Sequence, residues 1–122
     1  MRILVVDDNA DVATMLAELL KLDGHEEVAI ARDGAEALAS IRSTTPDFVL
    51  CDLVLPGKLD GLALARSCRD DPQLKDVRLV AMSGYGGDDD RARAIEAGFD
   101  DLLAKPVRFD TLADYIRRSG NP

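Results

Sequence analysis

The chain has 122 residues, with 23 acidic and 15 basic side chains and a net charge of −8. This length suits one domain that buries about two thirds of its unfolded surface, and the negative charge disfavours direct binding to nucleic acid. The longest stretch without a charged residue, residues 79–87, is too short for a transmembrane helix and excludes a signal-peptide core. We therefore expect a cytoplasmic protein whose single domain spans residues 1–122, with a loose C-terminal end at 119–122.

Short apolar runs rich in β-branched residues predict five β-strands. These strands are expected at residues 3–6, 28–31, 48–51, 79–82 and 102–104. Segments of helical period lie between them. This alternation is typical of βα units on a parallel sheet that helices cover on both faces.

The first predicted helix lies between the first two strands and ends near Gly24. Its apolar residues repeat at positions i, i+3, i+4 and i+7, which places them on one face of the helix. These residues are Val12, Met15, Leu16 and Leu19. We expect this face to pack against the sheet.

Capping residues mark where the later helices begin. Asp33 is followed three residues later by Glu36, as in a capping box, and Asp60 is a preferred N-cap residue. A fourth helix begins with the aspartates at 88–90, which the helix dipole favours, and a fifth covers about residues 108–118. Right-handed crossovers between such units favour a doubly wound α/β sheet, whose ligand site lies beyond the carboxyl ends of the strands.

Polar residues follow four of the predicted strands, at the point where each strand ends. They are Asp7, Asp8, Asp52, Ser83 and Lys105. If the first and third strands are neighbours, the three carboxylates share one cleft, and each pair repels by about 3 kcal/mol at about 5 Å. A divalent cation that prefers oxygen ligands, Mg²⁺ or Mn²⁺, would balance this charge together with the lysine.

These motifs resemble the receiver domains of two-component response regulators along the whole chain. The resemblance rests on Val5-Val6-Asp7-Asp8, on Asp52 followed by Leu55-Pro56 and Asp60-Gly61, on Ser83-Gly84, and on Leu103-Ala104-Lys105-Pro106. It implies a CheY-like receiver with a flavodoxin-like, doubly wound, five-stranded parallel sheet of strand order 2-1-3-4-5 and five helices.

The resemblance also implies a phosphoacceptor at Asp52. This carboxylate would take a phosphoryl group from a phosphohistidine on a histidine kinase or a histidine phosphotransfer protein. The Lys105 ammonium and the Ser83 hydroxyl would each hold a phosphoryl oxygen, and the bond between Lys105 and Pro106 would be cis. Such a protein phosphorylates and dephosphorylates itself rather than turning over a substrate, and it signals or relays through contact with a downstream protein.

A metal site is implied beside the phosphoacceptor. Asp8 would bind Mg²⁺ or Mn²⁺ directly, and Asp7 would bind it largely through water. Asp52 and the backbone carbonyl of Val54 would complete the protein ligands.

Several positions depart from the family's usual pattern. Leu102 stands where receivers usually have a Tyr or Phe rotamer switch, so a signal would pass through the loop after the fourth strand or through aliphatic repacking. The loop at 56–61 is one residue longer than the commonest one and resembles receivers of hybrid sensor kinases. Val54 and Tyr85, which flank the phosphoryl site, carry no charge and would shield the acyl phosphate from water.

Other interpretations stay open at this point. The chain could be a receiver fragment of a hybrid histidine kinase, and any DNA-binding or enzymatic output would then lie on another segment. It could instead be a Mg²⁺-dependent phosphate-ester hydrolase with Asp52 as nucleophile, although it has no obvious substrate cap. A flavin-binding module is disfavoured by the acidic loop at 7–11, and a degenerate interaction scaffold by the intact polar residues at the strand ends.

Overall fold

In the computed structural model, which describes residues 1–84 and 87–120, five strands alternate with five helices. The strands are β1 (Arg2–Val6), β2 (Glu27–Ala31), β3 (Phe48–Asp52), β4 (Arg78–Ser83) and β5 (Asp101–Ala104). The helices are α1 (Ala10–Leu22), α2 (Gly34–Thr44), α3 (Gly61–Asp70), α4 (Asp88–Ala97) and α5 (Phe109–Gly120), and a 3-10 turn covers Pro72–Leu74. Of the expected loose end, positions 119–120 belong to α5 and positions 121–122 lie outside the described residues.

The strands form one parallel sheet in the order β2-β1-β3-β4-β5. This confirms the predicted flavodoxin-like, doubly wound α/β fold. The chain leaves β1 toward β2 and returns to β3 on the other side, so the strand order reverses between β1 and β3. Val6 pairs with Cys51. The residues that follow them in the chain, Asp7 and Asp52, therefore lie side by side at the carboxyl edge.

Both faces of the sheet are buried under helices. Along β3, Val49 and Cys51 belong to the core that α2, α3 and α4 cover, whereas Phe48 and Leu50 belong to the core under α1 and α5. This alternation follows from the two-residue period of a strand. Because every residue of β3 is buried, its last residue, Asp52, lies at the edge of a rigid central strand. Within the described part of the chain, no helix combines the length and the apolar character that crossing a membrane requires.

The buried face of α1 differs from the predicted one. The buried residues are Ala13, Leu16, Ala17 and Leu20. Met15 is 54% exposed, and Val12 and Leu19 are only half-buried, so the prediction was wrong for Met15. The two alanines let the helix pack closely on the sheet. The spacing of the large apolar residues therefore misplaced the contact by about one residue.

The predicted N-caps of α2 and α3 are confirmed. The Asp33 side chain accepts a hydrogen bond from the Glu36 backbone N–H, and the Asp60 side chain accepts one from Ala63. A third cap was not predicted: the Asn9 side chain accepts bonds from two backbone N–H groups in the first turn of α1. This cap fixes the short turn between β1 and α1 and thereby the backbone that carries the acidic pair.

Arg69, near the end of α3, joins several elements at the amino edge of the sheet. Its guanidinium donates to the carbonyl oxygens of Gly98 at 2.8 Å, Val77 at 2.9 Å and Lys75 at 3.1 Å. It also pairs with the Asp100 carboxylate at 3.0 Å. The ends of α3 and α4 and the starts of β4 and β5 are thus held by one planar cation.

We expect Arg69→Lys to lower the free energy of unfolding by about 1–3 kcal/mol, because a single ammonium cannot reach all of these acceptors. Urea denaturation followed by circular dichroism measures this loss. Arg66→Lys, on the exposed side of the same helix, is the matched control and should change stability by less than about 0.5 kcal/mol. Equal losses in the two variants would contradict the role of Arg69.

Candidate functional site

The polar residues predicted at the strand ends meet in one place. Asp52 and Ser83 are the last residues of β3 and β4, and Asp7 and Lys105 directly follow β1 and β5. Asp52, Ser83 and Lys105 line one open cleft together with Val54. The parallel sheet brings these positions together because the carboxyl ends of all its strands share an edge.

An ion pair lies at the centre of this cleft. The Lys105 Nζ atom is 2.6 Å from Asp52 Oδ2 and 3.4 Å from Asp7 Oδ2. Burial on its own lowers the pKa of Lys105, but the hydrogen bond to Asp52 and the charges of both carboxylates outweigh it and raise the pKa above its ordinary value. Lys105 is therefore a fixed positive charge at neutral pH. The peptide bond between Lys105 and Pro106 is cis, as the resemblance implied.

The buried carboxylates are also held by backbone donors. Asp52 Oδ1 accepts from the Val54 N–H at 3.0 Å, and Asp7 Oδ1 accepts from the Asn9 N–H at 2.9 Å. Asp8 is exposed, and its carboxylate has no hydrogen bond or ion pair with the residues that the structure describes. Two successive aspartates thus have different surroundings, since Asp7 is only 1% exposed.

Three carboxylates are close enough together to hold a metal ion. Asp7, Asp8 and Asp52 each have an oxygen within 4.8 Å of the others. Lys105 offsets only part of their negative charge, and carboxylate oxygens are the ligands that Mg²⁺ and Mn²⁺ prefer. The donor set therefore fits the predicted ion. The backbone of Val54 lies beside this cluster through its bond to Asp52, and the role of its carbonyl stays a prediction.

Ser83 donates a hydrogen bond to Asp90, a residue that the sequence did not place in the site. The Ser83 hydroxyl, in a residue only 3% exposed, donates to Asp90 Oδ2 at 2.7 Å. Asp90 lies in the first turn of α4, and its other oxygen is 3.8 Å from the Arg93 guanidinium. Three aspartates in a row give no sign of which one faces the cleft, because that depends on how α4 is rotated relative to β4.

Gly61 belongs to the motif Asp60-Gly61, and the close approach of α3 to the end of β3 explains why glycine stands there. A Cβ atom at this position would lie 2.6 Å from the carbonyl oxygen of Asp52 and 2.8 Å from the Cα of Leu53. The Gly61 N–H also donates to the Leu53 carbonyl at 3.2 Å. Only glycine lets the start of α3 approach the backbone of Asp52 so closely.

We expect Gly61→Ala to lower the free energy of unfolding by about 1–3 kcal/mol, because the added methyl group must displace the backbone next to Asp52. Urea denaturation tests this expectation. Gly84→Ala is the matched control, because a Cβ there meets nothing within 4 Å. Equal stability of the Gly61 variant and the wild type would show that the loop yields without cost.

The positions that depart from the family pattern are placed as follows. Leu102 is 2% exposed and belongs to the core under α2, α3 and α4. Val54 is 76% exposed at the cleft. Tyr85, the second residue predicted to shield the phosphoryl site, lies outside the described residues.

Comparisons with known proteins agree with this fold. Residues 3–117 match the response regulator receiver domain family. The transcriptional regulatory protein PrrA of Mycobacterium tuberculosis is 41% identical over 117 residues, which are 96% of this chain and 47% of PrrA. The chain therefore spans about half the length of this relative.

Solved structures show the same architecture. The receiver domain of NtrX from Brucella abortus has a TM-score of 0.86 at 36% identity, over 96% of each chain. The signal receiver domain of a signal transduction histidine kinase from Syntrophus aciditrophicus has a TM-score of 0.87 at 30% identity, over 97% of this chain and 88% of that one. The family match and these neighbours define the class of protein, a receiver domain with an α/β sheet and an acidic cluster at the carboxyl edge of that sheet. The chain belongs to the response regulator receiver domain family of two-component signalling.

Proposed function

We propose that the chain is a cytoplasmic phosphoacceptor that takes a phosphoryl group from a phosphohistidine onto Asp52. The contact between Asp52 and Lys105, at 2.6 Å, is the observation that carries this proposal. It pairs a carboxylate at the end of a buried strand with one fixed cation in an open cleft. A carboxylate so placed is a suitable nucleophile, because phosphoryl transfer depends mainly on positioning and charge neutralisation.

In the transfer, an oxygen of Asp52 forms a bond to phosphorus. The bond between phosphorus and the donor imidazole nitrogen breaks, and its electron pair leaves with the imidazole. The product on Asp52 is an acyl phosphate. The Val54 N–H and the Lys105 ammonium hold the two carboxylate oxygens during this step, and each oxygen keeps further acceptor capacity. Lys105 and Ser83 would then each bind a phosphoryl oxygen.

Asp7, Asp8 and Asp52 would hold Mg²⁺ or Mn²⁺, with the Val54 carbonyl as a further ligand. When bound, the ion supplies positive charge that offsets the charge of the phosphoryl oxygens. Asp8 has no other partner among the described residues, which suits direct binding. Asp7 already accepts bonds from Asn9 and Lys105, which suits binding through water.

The donor would be a histidine kinase or a histidine phosphotransfer protein, and the phosphorylated chain would act by contact with a downstream protein. The net charge of −8 argues against direct contact with nucleic acid. A receiver fragment of a hybrid histidine kinase is the second candidate. The long loop at 56–61 and the similarity to the receiver domain of a histidine kinase favour it.

We expect the wild type to gain one phosphoryl group on incubation with acetyl phosphate and Mg²⁺, and Asp52→Asn to gain none, because the amide is not a nucleophile of this kind. Intact-protein mass spectrometry measures the gain, and EDTA should abolish it. Asp76→Asn, an exposed site at the opposite edge of the sheet, is the control and should be labelled like the wild type. Labelling of Asp52→Asn would contradict the proposal, and continuous hydrolysis of a phosphomonoester would favour the hydrolase.

We expect Val54→Asn to accelerate loss of the phosphoryl group, because an amide can orient an attacking water by hydrogen bonding and the apolar side chain of Val54 cannot. The decay of the phosphorylated mass after removal of the donor gives the rate. Val54→Ile, which keeps the position apolar, is the control and should lose the phosphoryl group at the rate of the wild type. An unchanged rate in Val54→Asn would contradict the shielding role of Val54.

A further inference from the structure

We propose that Asp90 is a positioning residue. It accepts a hydrogen bond from the Ser83 hydroxyl in the unphosphorylated protein, and this hydrogen bond breaks when Asp52 is phosphorylated. The inference rests on the proposed function, because it concerns the consequence of adding a phosphoryl group to Asp52. It gives the chain a contact between the phosphorylation site and the start of α4.

The contact between Ser83 and Asp90 is short and largely shielded from solvent. The Ser83 Oγ atom is 2.7 Å from Asp90 Oδ2, and Ser83 is 3% exposed. A hydroxyl has a single proton to donate, and a carboxylate can only accept. In this state the proton of Ser83 is therefore directed at Asp90, through a charge-assisted hydrogen bond.

Phosphorylation of Asp52 would introduce a competitor for that proton. Asp52, Ser83 and Asp90 line the same cleft. An acyl phosphate there brings three acceptor oxygens and a charge of up to about −2. The phosphoryl oxygens compete with Asp90 for the hydroxyl, and their charge also repels the Asp90 carboxylate. Both effects favour loss of the hydrogen bond between Ser83 and Asp90.

Release of Asp90 would act directly on α4. Asp90 belongs to the first turn of this helix, and its second oxygen is 3.8 Å from the guanidinium of Arg93, which lines the same cleft. Arg93 thus already pairs with one oxygen of Asp90 and can hold both oxygens after the hydroxyl has left. Because Leu102 is a buried aliphatic residue, the exchange of partners at Asp90 supplies a coupling that needs no aromatic rotamer.

The affinity for beryllium fluoride with Mg²⁺, a mimic of the phosphoryl group, tests the inference. We expect Asp90→Ala to bind it roughly three- to tenfold more tightly than the wild type, because the hydroxyl no longer has to leave a charged acceptor. Asp89→Ala is the matched control: it removes the same charge from the same helical turn, at an exposed side chain, and should leave the affinity nearly unchanged. In a Ser83→Ala background, Asp90→Ala should give a clearly smaller gain, because only the charge repulsion is then relieved.

A second readout needs no ligand. In the free protein, Asp90→Ala should move the backbone amide resonances of α4 toward their positions in the wild type bound to beryllium fluoride, and Asp89→Ala should not. If Asp90→Ala does not fold, Asp90→Asn takes its place. It keeps a neutral acceptor and should tighten binding by a smaller factor.

The outcomes separate this inference from the proposed function. Equal tightening in Asp89→Ala, or a gain from Asp90→Ala that is undiminished without the Ser83 hydroxyl, would mean charge repulsion alone and would overturn the role of Asp90. Unchanged affinity in the Asp90 variants, with binding by the wild type, would overturn this inference alone. Failure of the wild type to bind beryllium fluoride or to gain a phosphoryl group would count against the proposed function itself.

Discussion

The candidate site is held together by the ion pair between Lys105 and Asp52. Asp7 and Asp52 are almost fully buried next to each other, and two unpaired buried carboxylates would cost several kcal/mol. The lysine that balances them follows β5, which lies two places from β3 in the sheet. The pair therefore requires β4 and β5 to lie beside β3 in the observed order. The cleft is complete only when the sheet is complete.

The fold was predictable because each strand is an apolar run that ends at a polar residue. This is why the five strands, the capping residues Asp33 and Asp60, and the gathering of the strand-end residues followed from the sequence, whereas the strand order followed from the resemblance to receiver domains. The prediction that failed, the buried face of α1, depends on how the helix is rotated about its axis. Met15 faces solvent because small alanines, rather than the larger side chains, form the contact of α1 with the sheet.

The candidate site was predictable in its members and less so in their surroundings. The sequence identifies Asp7 and Asp8 as a pair, but their opposite exposures are set by the turn that Asn9 caps. The partner of Ser83 could not be predicted at all. Asp90 contacts Ser83 from the far side of the connection between β4 and α4. The sequence gives the length of this connection but not its conformation. Side chains that meet across a loop are determined by tertiary packing, which no local pattern records.

The two edges of the sheet carry different features: structural contacts at the amino edge and the candidate site at the carboxyl edge. The guanidinium of Arg69 ties helices and strands together at the amino edge, and the acidic cluster with Lys105 lies at the carboxyl edge, a strand's length away. All of these Arg69 contacts lie at the amino edge, so substitutions in the loops at the carboxyl edge do not remove them. The surface of this chain at the carboxyl edge can therefore change while the anchor at the other edge stays the same.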